Sequence, residues 1–268
     1  MIPPFLMGRL AMTYWQFHVV FLLPPIALLA LTLPASLNGV SARRRRWALP
    51  TICLIAFCYT TPWDNYLVYR NVWGYGPERV LATIGYVPVE EYAFFILQPI
   101  LTGLFLYHWL ARWTTDWQPQ RPIDHHPGPR WVGAAVWGLL SIAGWALIAW
   151  SDPSGLYMGL ILGWACPVIA GMWLYGGSVL WAHRRIIAYT VGLPTLYLWI
   201  ADTTAIGLNI WYINDQYTLG VDLLGVLPIE EATFFLMTNI LVVQGTLLFL
   251  IDLPEALTKR HRVLSSNA

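Results

Sequence analysis

Two copies of one motif carry pairs of glutamates into apolar sequence. Residues 88–95 read Pro-Val-Glu-Glu-Tyr-Ala-Phe-Phe, and residues 228–235, 140 positions later, read Pro-Ile-Glu-Glu-Ala-Thr-Phe-Phe. Adjacent carboxyl groups disfavour ionisation of both, and burial in an apolar medium disfavours it further. A carboxyl group in such surroundings can stay protonated at neutral pH and serve as an acid. The motif therefore predicts a proton donor for an apolar substrate, most simply an alkene.

An aspartate precedes each motif at a similar distance. Asp64 and Trp73 recur as Asp202 and Trp211, at an offset of 138. Helix-start chemistry is one explanation of the glutamates, because the N-terminal end of a helix favours anions. Ionisable groups near hydrocarbon are costly and usually functional, however, and here they recur in matched pairs. The candidates for catalysis are therefore Glu90, Glu91, Glu230, Glu231, Asp64 and Asp202.

Aromatic residues lie close to both glutamate pairs. Their ring faces can stabilise a cation, although tryptophan and tyrosine also form the interfacial belt of any membrane protein. The candidates for substrate binding are Phe94, Phe95, Phe234, Phe235, Trp73, Trp211 and Tyr92.

The composition indicates a membrane protein. Hydrophobic residues make up 57% of the 268 residues and charged residues only 11%, whereas soluble domains carry about 25% charge. The net charge of +1 argues against a nucleic-acid partner. Cys53, Cys58 and Cys166 lie in apolar runs without ligand-type spacing, so neither disulfides nor a metal site is expected.

About seven segments are long enough to span the bilayer, which requires roughly 20 apolar residues each. They are 14–35, 47–63, 89–110, 131–150, 156–180, 186–208 and 228–251. Three helices, one linker helix and three more give two parallel repeats in an all-α polytopic fold. The predicted divisions are a first repeat (1–112), a linker with a connecting helix (113–152), a second repeat (153–253) and a cytoplasmic tail (254–268).

Basic residues predict the orientation in the membrane. Twelve of the 15 lysines and arginines fall in alternate loops and the C-terminal tail, and such residues mark the cytoplasmic side. We expect an integral protein of the cytoplasmic (inner) membrane, with its N-terminus outside and its C-terminus cytoplasmic. The sequence leaves the oligomeric state open, a homo-oligomer included.

The paired Pro-x-Glu-Glu motifs, each preceded by an aspartate, resemble the membrane-integral lycopene cyclases of carotenoid biosynthesis. That family occurs as two separate three-helix chains, as a fused chain, and as the cyclase half of a fungal bifunctional enzyme that also makes phytoene. This sequence is similar to the fused form, over nearly its whole length up to about residue 253.

The resemblance implies a redox-neutral, acid-catalysed cyclisation of the ψ end groups of lycopene to β-ionone rings, giving γ-carotene or β-carotene. Glu90 and Glu230 would act as acid or base, tuned by Glu91 and Glu231. Asp64 and Asp202 would be hydrogen-bond partners. No Gly-x-Gly-x-x-Gly fingerprint follows a strand, so we expect no flavin or nicotinamide cofactor.

The sequence leaves the number of active sites and the exact activity open. Tyr92 is replaced by Ala232 in the second motif, so the two halves could form one active site or two. A retinal-binding photoreceptor needs a lysine in the last helix, whereas the only lysine, Lys259, lies in the tail. The same pattern is compatible with a cyclase for another carotenoid and with a proton-coupled transporter.

Overall fold

The computed structural model describes residues 12–37, 39–112, 127–151, 153–223 and 225–251. The predicted tail (254–268) and the first part of the predicted linker (113–126) lie outside these ranges. Long helices dominate the part of the chain that is described. They are α1 (Tyr14–Leu31, with a π-helical turn at His18–Leu22), α2 (Ala42–Tyr69), α3 (Val89–Arg112), α4 (Pro127–Trp150), α5 (Leu156–Ala182), α6 (Arg184–Gly207) and α7 (Ile229–Leu250).

The helices match the predicted spans closely. Six of those described are long and apolar enough to cross a membrane, which confirms the polytopic all-α fold. Helix α2 is long enough to cross a membrane, but its mean hydropathy is lower than that of the other six, because it contains four arginines together with Pro50, Pro62 and Asp64. It nevertheless covers the predicted segment 47–63 and extends beyond both of its ends.

Short strands order the loops that lead into α3 and α7. They are β1 (Trp73–Tyr75), β2 (Thr83–Ile84), β3 (Val87–Pro88), β4 (Trp211–Ile213), β5 (Asp222–Leu223) and β6 (Leu227–Pro228). β2 pairs with β3, and β5 pairs with β6. β1 pairs with β4 in antiparallel register, with Tyr75 opposite Trp211. This last pair joins the loops that follow α2 and α6 in one small sheet.

Helix packing in the first half recurs in the second. α3 packs against α1 and α2, and α7 packs against α5 and α6. Across the halves, α3 contacts α7, while α2 contacts α7 and α3 contacts α6. The contacts therefore follow the repeat in the sequence, although the domain boundaries themselves stay a prediction.

A buried polar cluster fixes the centre of this arrangement. Asn239 on α7 accepts hydrogen bonds from Gln98 (2.7 Å) and Thr102 (2.6 Å) on α3, and it donates one to Thr195 on α6 (2.9 Å). Interhelical hydrogen bonds of this kind each contribute on the order of 1 kcal/mol within a membrane. They join α3, α7 and α6 about two helical turns beyond the glutamate pairs.

Candidate active site

The first glutamate of each motif holds the loop before its helix. Glu90 Oε1 accepts the backbone N–H of Leu81 (2.8 Å), and Glu230 Oε1 accepts that of Leu219 (2.7 Å). Both side chains are fully buried, and the second carboxyl oxygen of each has no hydrogen-bond partner. The predicted acid or base pair thus contacts loop backbone at one oxygen, and neither residue lines the cavity described below.

The second glutamate of each motif binds tyrosine hydroxyls instead. Glu91 Oε2 accepts hydrogen bonds from Tyr14 (2.7 Å) and Tyr75 (3.2 Å). Glu231 Oε1 accepts one from Tyr157 (2.6 Å). Three tyrosines outside the predicted set of site residues therefore hold the second glutamates in place.

These contacts reveal how the first helices of the two halves correspond. Tyr14 and Tyr157 are 143 positions apart and make the same bond to the second glutamate of their own half. Tyr75 has no such counterpart, because Ile213 occupies the equivalent position 138 residues later. Glu91 therefore has two tyrosine donors and Glu231 has one.

The aspartates lie buried in the same layer. Asp202 is 1% exposed, and its Oδ1 accepts the indole N–H of Trp211 (2.8 Å). Asp64 is also 1% exposed, and one of its carboxyl oxygens has no partner. Asp64 is close enough to interact electrostatically with Glu91 and Glu231. The structure thus gathers carboxyl groups from both halves into one buried cluster.

A cavity of about 40 Å³ joins these groups. We call it the acid cavity, and its walls are Tyr14, Trp73, Tyr75, Glu91, Phe94, Tyr157, Asp202, Trp211, Ile213, Glu231, Phe234 and Phe235. Three of these residues are carboxylic acids, and none is a lysine or arginine. Without a cation in the wall, full ionisation of all three would leave uncompensated buried charge. Protons must therefore be shared among them.

The predicted aromatic residues divide between two places. Trp73, Trp211, Phe94, Phe234 and Phe235 line the acid cavity. Phe95 lines a second, deeper cavity, and Phe94 and Phe234 contribute to its wall as well.

Tyr92 is elsewhere. Its hydroxyl donates to the Ile84 carbonyl (2.9 Å) and accepts from the Asn65 amide (3.0 Å), so it braces the β2–β3 loop. Among the described residues, no group of three His, Cys, Asp or Glu side chains is arranged to hold a metal ion.

Known proteins resemble this chain along most of its length. A protein named lycopene beta-cyclase from Halobacterium salinarum is 39% identical over 237 residues, covering 88% of this chain and 95% of the relative. A bifunctional lycopene cyclase/phytoene synthase from Phycomyces blakesleeanus is 34% identical over 239 residues, which are 87% of this chain and 38% of that protein. The protein of the same name from Colletotrichum graminicola is 39% identical over 212 residues, which are 74% of this chain and 34% of that protein. No family model and no solved structure matches.

Proposed function

Because the chain belongs to the lycopene cyclase family, we propose that it closes the acyclic end group of lycopene to a β-ionone ring. The family membership expected from the twin motifs is confirmed by relatives that match nearly the whole chain. The reaction is an isomerisation within carotenoid biosynthesis. Its products are monocyclic and bicyclic β-ring carotenoids.

The chemistry of this reaction requires one acid and one base at the same end group. A proton added to the terminal double bond forms a tertiary carbocation. A neighbouring double bond of the chain attacks this cation, which forms the ring bond and moves the positive charge into the ring. Loss of a ring proton to a base creates the ring double bond. One proton enters and one leaves, so no oxidant or reductant is consumed.

The observation that carries the proposal is the acid cavity itself. Glu91 comes from the first motif, whereas Glu231 and Asp202 come from the second half, and all three line one space. Carboxyl groups that share protons in a water-poor cavity can offer one group as an acid while another remains a base. This arrangement supplies both functions needed at one end group.

The hydrogen bonds support an assignment of the two roles. Glu91 accepts two tyrosine hydroxyls, and hydrogen bonds to the charged form of a carboxyl group favour that form. Glu231 accepts only one and interacts electrostatically with Asp202, whose ionised form is favoured by the Trp211 indole. We therefore assign Glu231 as the proton donor and Glu91 as the base.

This assignment transfers the central roles from the first to the second glutamates. The sequence pattern favoured Glu90 and Glu230, which instead accept backbone N–H groups of the preceding loops. After ring closure Glu91 carries the proton removed from the ring, and Glu231 is ionised because its own proton is now bonded to a ring carbon. Exchange of both carboxyl groups with solvent between turnovers then restores the starting protonation of each.

Aromatic faces complete the proposed site. Trp73, Trp211 and Phe235 line the acid cavity, and aromatic faces within about 6 Å of a cation attract it by roughly 0.5–2 kcal/mol. They would stabilise the carbocation without offering a nucleophile that could trap it.

The proposed setting is the cytoplasmic membrane with the N-terminus outside, as the distribution of basic residues predicts. The substrate in this setting is lycopene dissolved in the lipid bilayer. The acid layer then lies toward the outer leaflet, at the ends of the helices from which the loops with β1 and β4 project.

Expression in a host that accumulates lycopene tests the function. Chromatography of the pigments should reveal monocyclic and bicyclic β-ring carotenoids, and the purified protein in detergent should form them without added NAD(P)H or flavin. A folded, membrane-inserted protein that leaves lycopene unchanged, as a transporter would, contradicts the proposal. A strict requirement for reduced flavin contradicts the mechanism.

A further inference from the structure

A second cavity lies deeper than the acid cavity and has a different character. Its volume is about 120 Å³. We call it the apolar cavity, and its walls are Ile52, Ile55, Ala56, Tyr59, Thr60, Phe94, Phe95, Gln98, Pro99, Trp164, Val168, Met172, Phe234, Thr238, Leu241 and Val242. None of these side chains carries a charge. Gln98, its most polar member, is already hydrogen bonded to Asn239.

Two phenylalanines separate the cavities. Phe94 and Phe234 appear in the walls of both, one from each motif. Pro99, at the deep end of the apolar cavity, is eight residues beyond Glu91 on α3, which corresponds to about 12 Å along the helix. A long molecule with its end group at Glu231 would therefore pass through the apolar cavity toward the membrane centre.

The apolar cavity borders the lipid between α2 and α5. On α2, Ile55 is 56% exposed and Tyr59 is 40% exposed, although both belong to its wall. At this edge the Tyr59 hydroxyl donates to the Trp164 carbonyl (3.0 Å) and the two rings stack at 5.3 Å, while one turn further along α2 the Trp63 indole donates to the Leu160 carbonyl (3.3 Å). We call these contacts the α2–α5 seam.

The repeat provides a counterpart at the opposite side of the molecule. The Tyr197 hydroxyl donates to the Phe21 carbonyl (2.7 Å) and so joins α6 to α1. Tyr59 and Tyr197 are 138 positions apart, and Phe21 and Trp164 are 143 apart, the offsets that relate the other equivalent residues. Neither Tyr197 nor Phe21 lines the acid cavity or the apolar cavity. We call this contact the α1–α6 seam.

We propose that the α2–α5 seam admits the polyene chain of the substrate from the bilayer into the apolar cavity, with one end group directed to the acid cavity. The inference rests on the proposed function and identifies the ligand of the apolar cavity as a long, uncharged, conjugated hydrocarbon. An acid cavity of about 40 Å³ is smaller than the roughly 150 Å³ that holds benzene. The rings of Phe94 and Phe234 must therefore turn aside when an end group enters.

One entrance and one acid cavity have a consequence for the product. The two end groups of one lycopene molecule must react in succession, with release and reinsertion between the two ring closures. The monocyclic carotenoid is thus a free intermediate, and it should accumulate when entry is slowed.

Matched tryptophan substitutions test the entrance. Ile55→Trp and Met172→Trp fill the apolar cavity, whereas Leu193→Trp and Leu29→Trp make the same change at the equivalent positions near the α1–α6 seam. Each tenfold change in binding corresponds to about 1.4 kcal/mol. We expect the first two variants to raise KM for lycopene about tenfold with kcat nearly unchanged, the pattern of lost substrate binding. We also expect an increased ratio of monocyclic to bicyclic product.

The outcomes separate this inference from the proposed function. The Leu193 and Leu29 variants should keep the KM of the unaltered protein, and melting in detergent verifies that all variants fold. If Ile55→Trp does not fold, Ile55→Phe replaces it. Equal effects at both seams, or an unchanged KM for the Ile55 and Met172 variants, contradict substrate entry through the α2–α5 seam. The proposed function is still supported in that case if the unaltered protein cyclises lycopene. Failure of the unaltered protein to cyclise lycopene overturns both.

Discussion

Glu91 and Glu231 begin different helices, 140 residues apart in the sequence, yet both line one cavity. Each is held by a tyrosine from the first helix of its own half, Tyr14 and Tyr157 respectively. The repeat therefore supplies two similar carboxyl groups to one site between its copies. The additional hydroxyl of Tyr75 on Glu91 makes the two groups unequal, as a reaction with a separate acid and base requires.

The tyrosines should act as positioning residues for the glutamates. Tyr14→Phe removes a hydrogen bond to Glu91 before it takes up a proton, and Tyr157→Phe removes one to Glu231 after it has given its proton up. Hydrogen bonds to such ionised groups contribute about 1.5–3 kcal/mol. We expect kcat to fall by about 10- to 100-fold with KM nearly unchanged. Tyr92→Phe is the control, because its hydroxyl contacts the β2–β3 loop instead. A change in KM or a fall in melting temperature that accounts for the whole loss in Tyr14→Phe would contradict the positioning role.

The first glutamates should matter for stability more than for turnover. Glu90→Gln keeps an oxygen that can accept the Leu81 N–H, so its turnover should stay within severalfold of the unaltered protein. Glu90→Ala leaves that N–H unpaired, at a cost of about 1–3 kcal/mol, and should lower the melting temperature in detergent. Glu230→Gln and Glu230→Ala should behave alike. Loss of turnover in a stable Glu90→Gln variant would return Glu90 to the role of acid or base.

Solvent deuterium distinguishes the proposed acid from the proposed base. In heavy water the unaltered protein should place one deuterium in each ring that it forms. Glu231→Gln cannot start the reaction, so recovered lycopene should be unlabelled. Glu91→Gln can still form the carbocation, which should revert to labelled lycopene or lose a different proton to give a ring isomer. Labelled lycopene from Glu231→Gln alone would reverse the assignment.

Cysteine labelling tests the orientation in the membrane. In a background without Cys53, Cys58 and Cys166, cysteines at the exposed positions Ser154 and Gln216 should react with an impermeant reagent from outside intact cells. A cysteine at Ala42 should react only after permeabilisation, and so should one at Ser265, which lies outside the described residues. Cytoplasmic labelling at Ser154 and Gln216 would place the acid layer at the inner leaflet.

The twin motifs predicted much of this arrangement because they combine two independent signals. The Pro-x-Glu-Glu pattern is typical of a helix start. Its recurrence after 140 residues predicts that both helices start at the same depth in the membrane. Which glutamate faces the cavity could not be predicted, since adjacent helical residues point about 100° apart. The rotation of α3 and α7 about their own axes is fixed by Glu90 and Glu230, whose carboxyl groups accept backbone N–H groups of the preceding loops.

The tyrosine contacts could not be predicted from the sequence for a different reason. Tyr14 and Tyr157 correspond at an offset of 143, whereas the motifs correspond at 140 and the aspartates at 138. With 14 tyrosines in the chain, a single matching pair at a third offset carries no signal by itself. Only the packing of α1 on α3 and of α5 on α7 brings each hydroxyl to its glutamate.

The most direct test of one shared site is the ring product formed by Glu91→Gln and Glu231→Gln, singly and together, at matched protein levels in membranes. General acid or base catalysis contributes about 10²–10⁴ in rate, so each single variant should form β-rings at least about 100-fold more slowly. The double variant should be little worse than either, because residues that act as one unit are not additive. Two independent sites, one in each half, would leave about half of the turnover in each single variant and lose it only in the double variant. That second pattern would contradict the account.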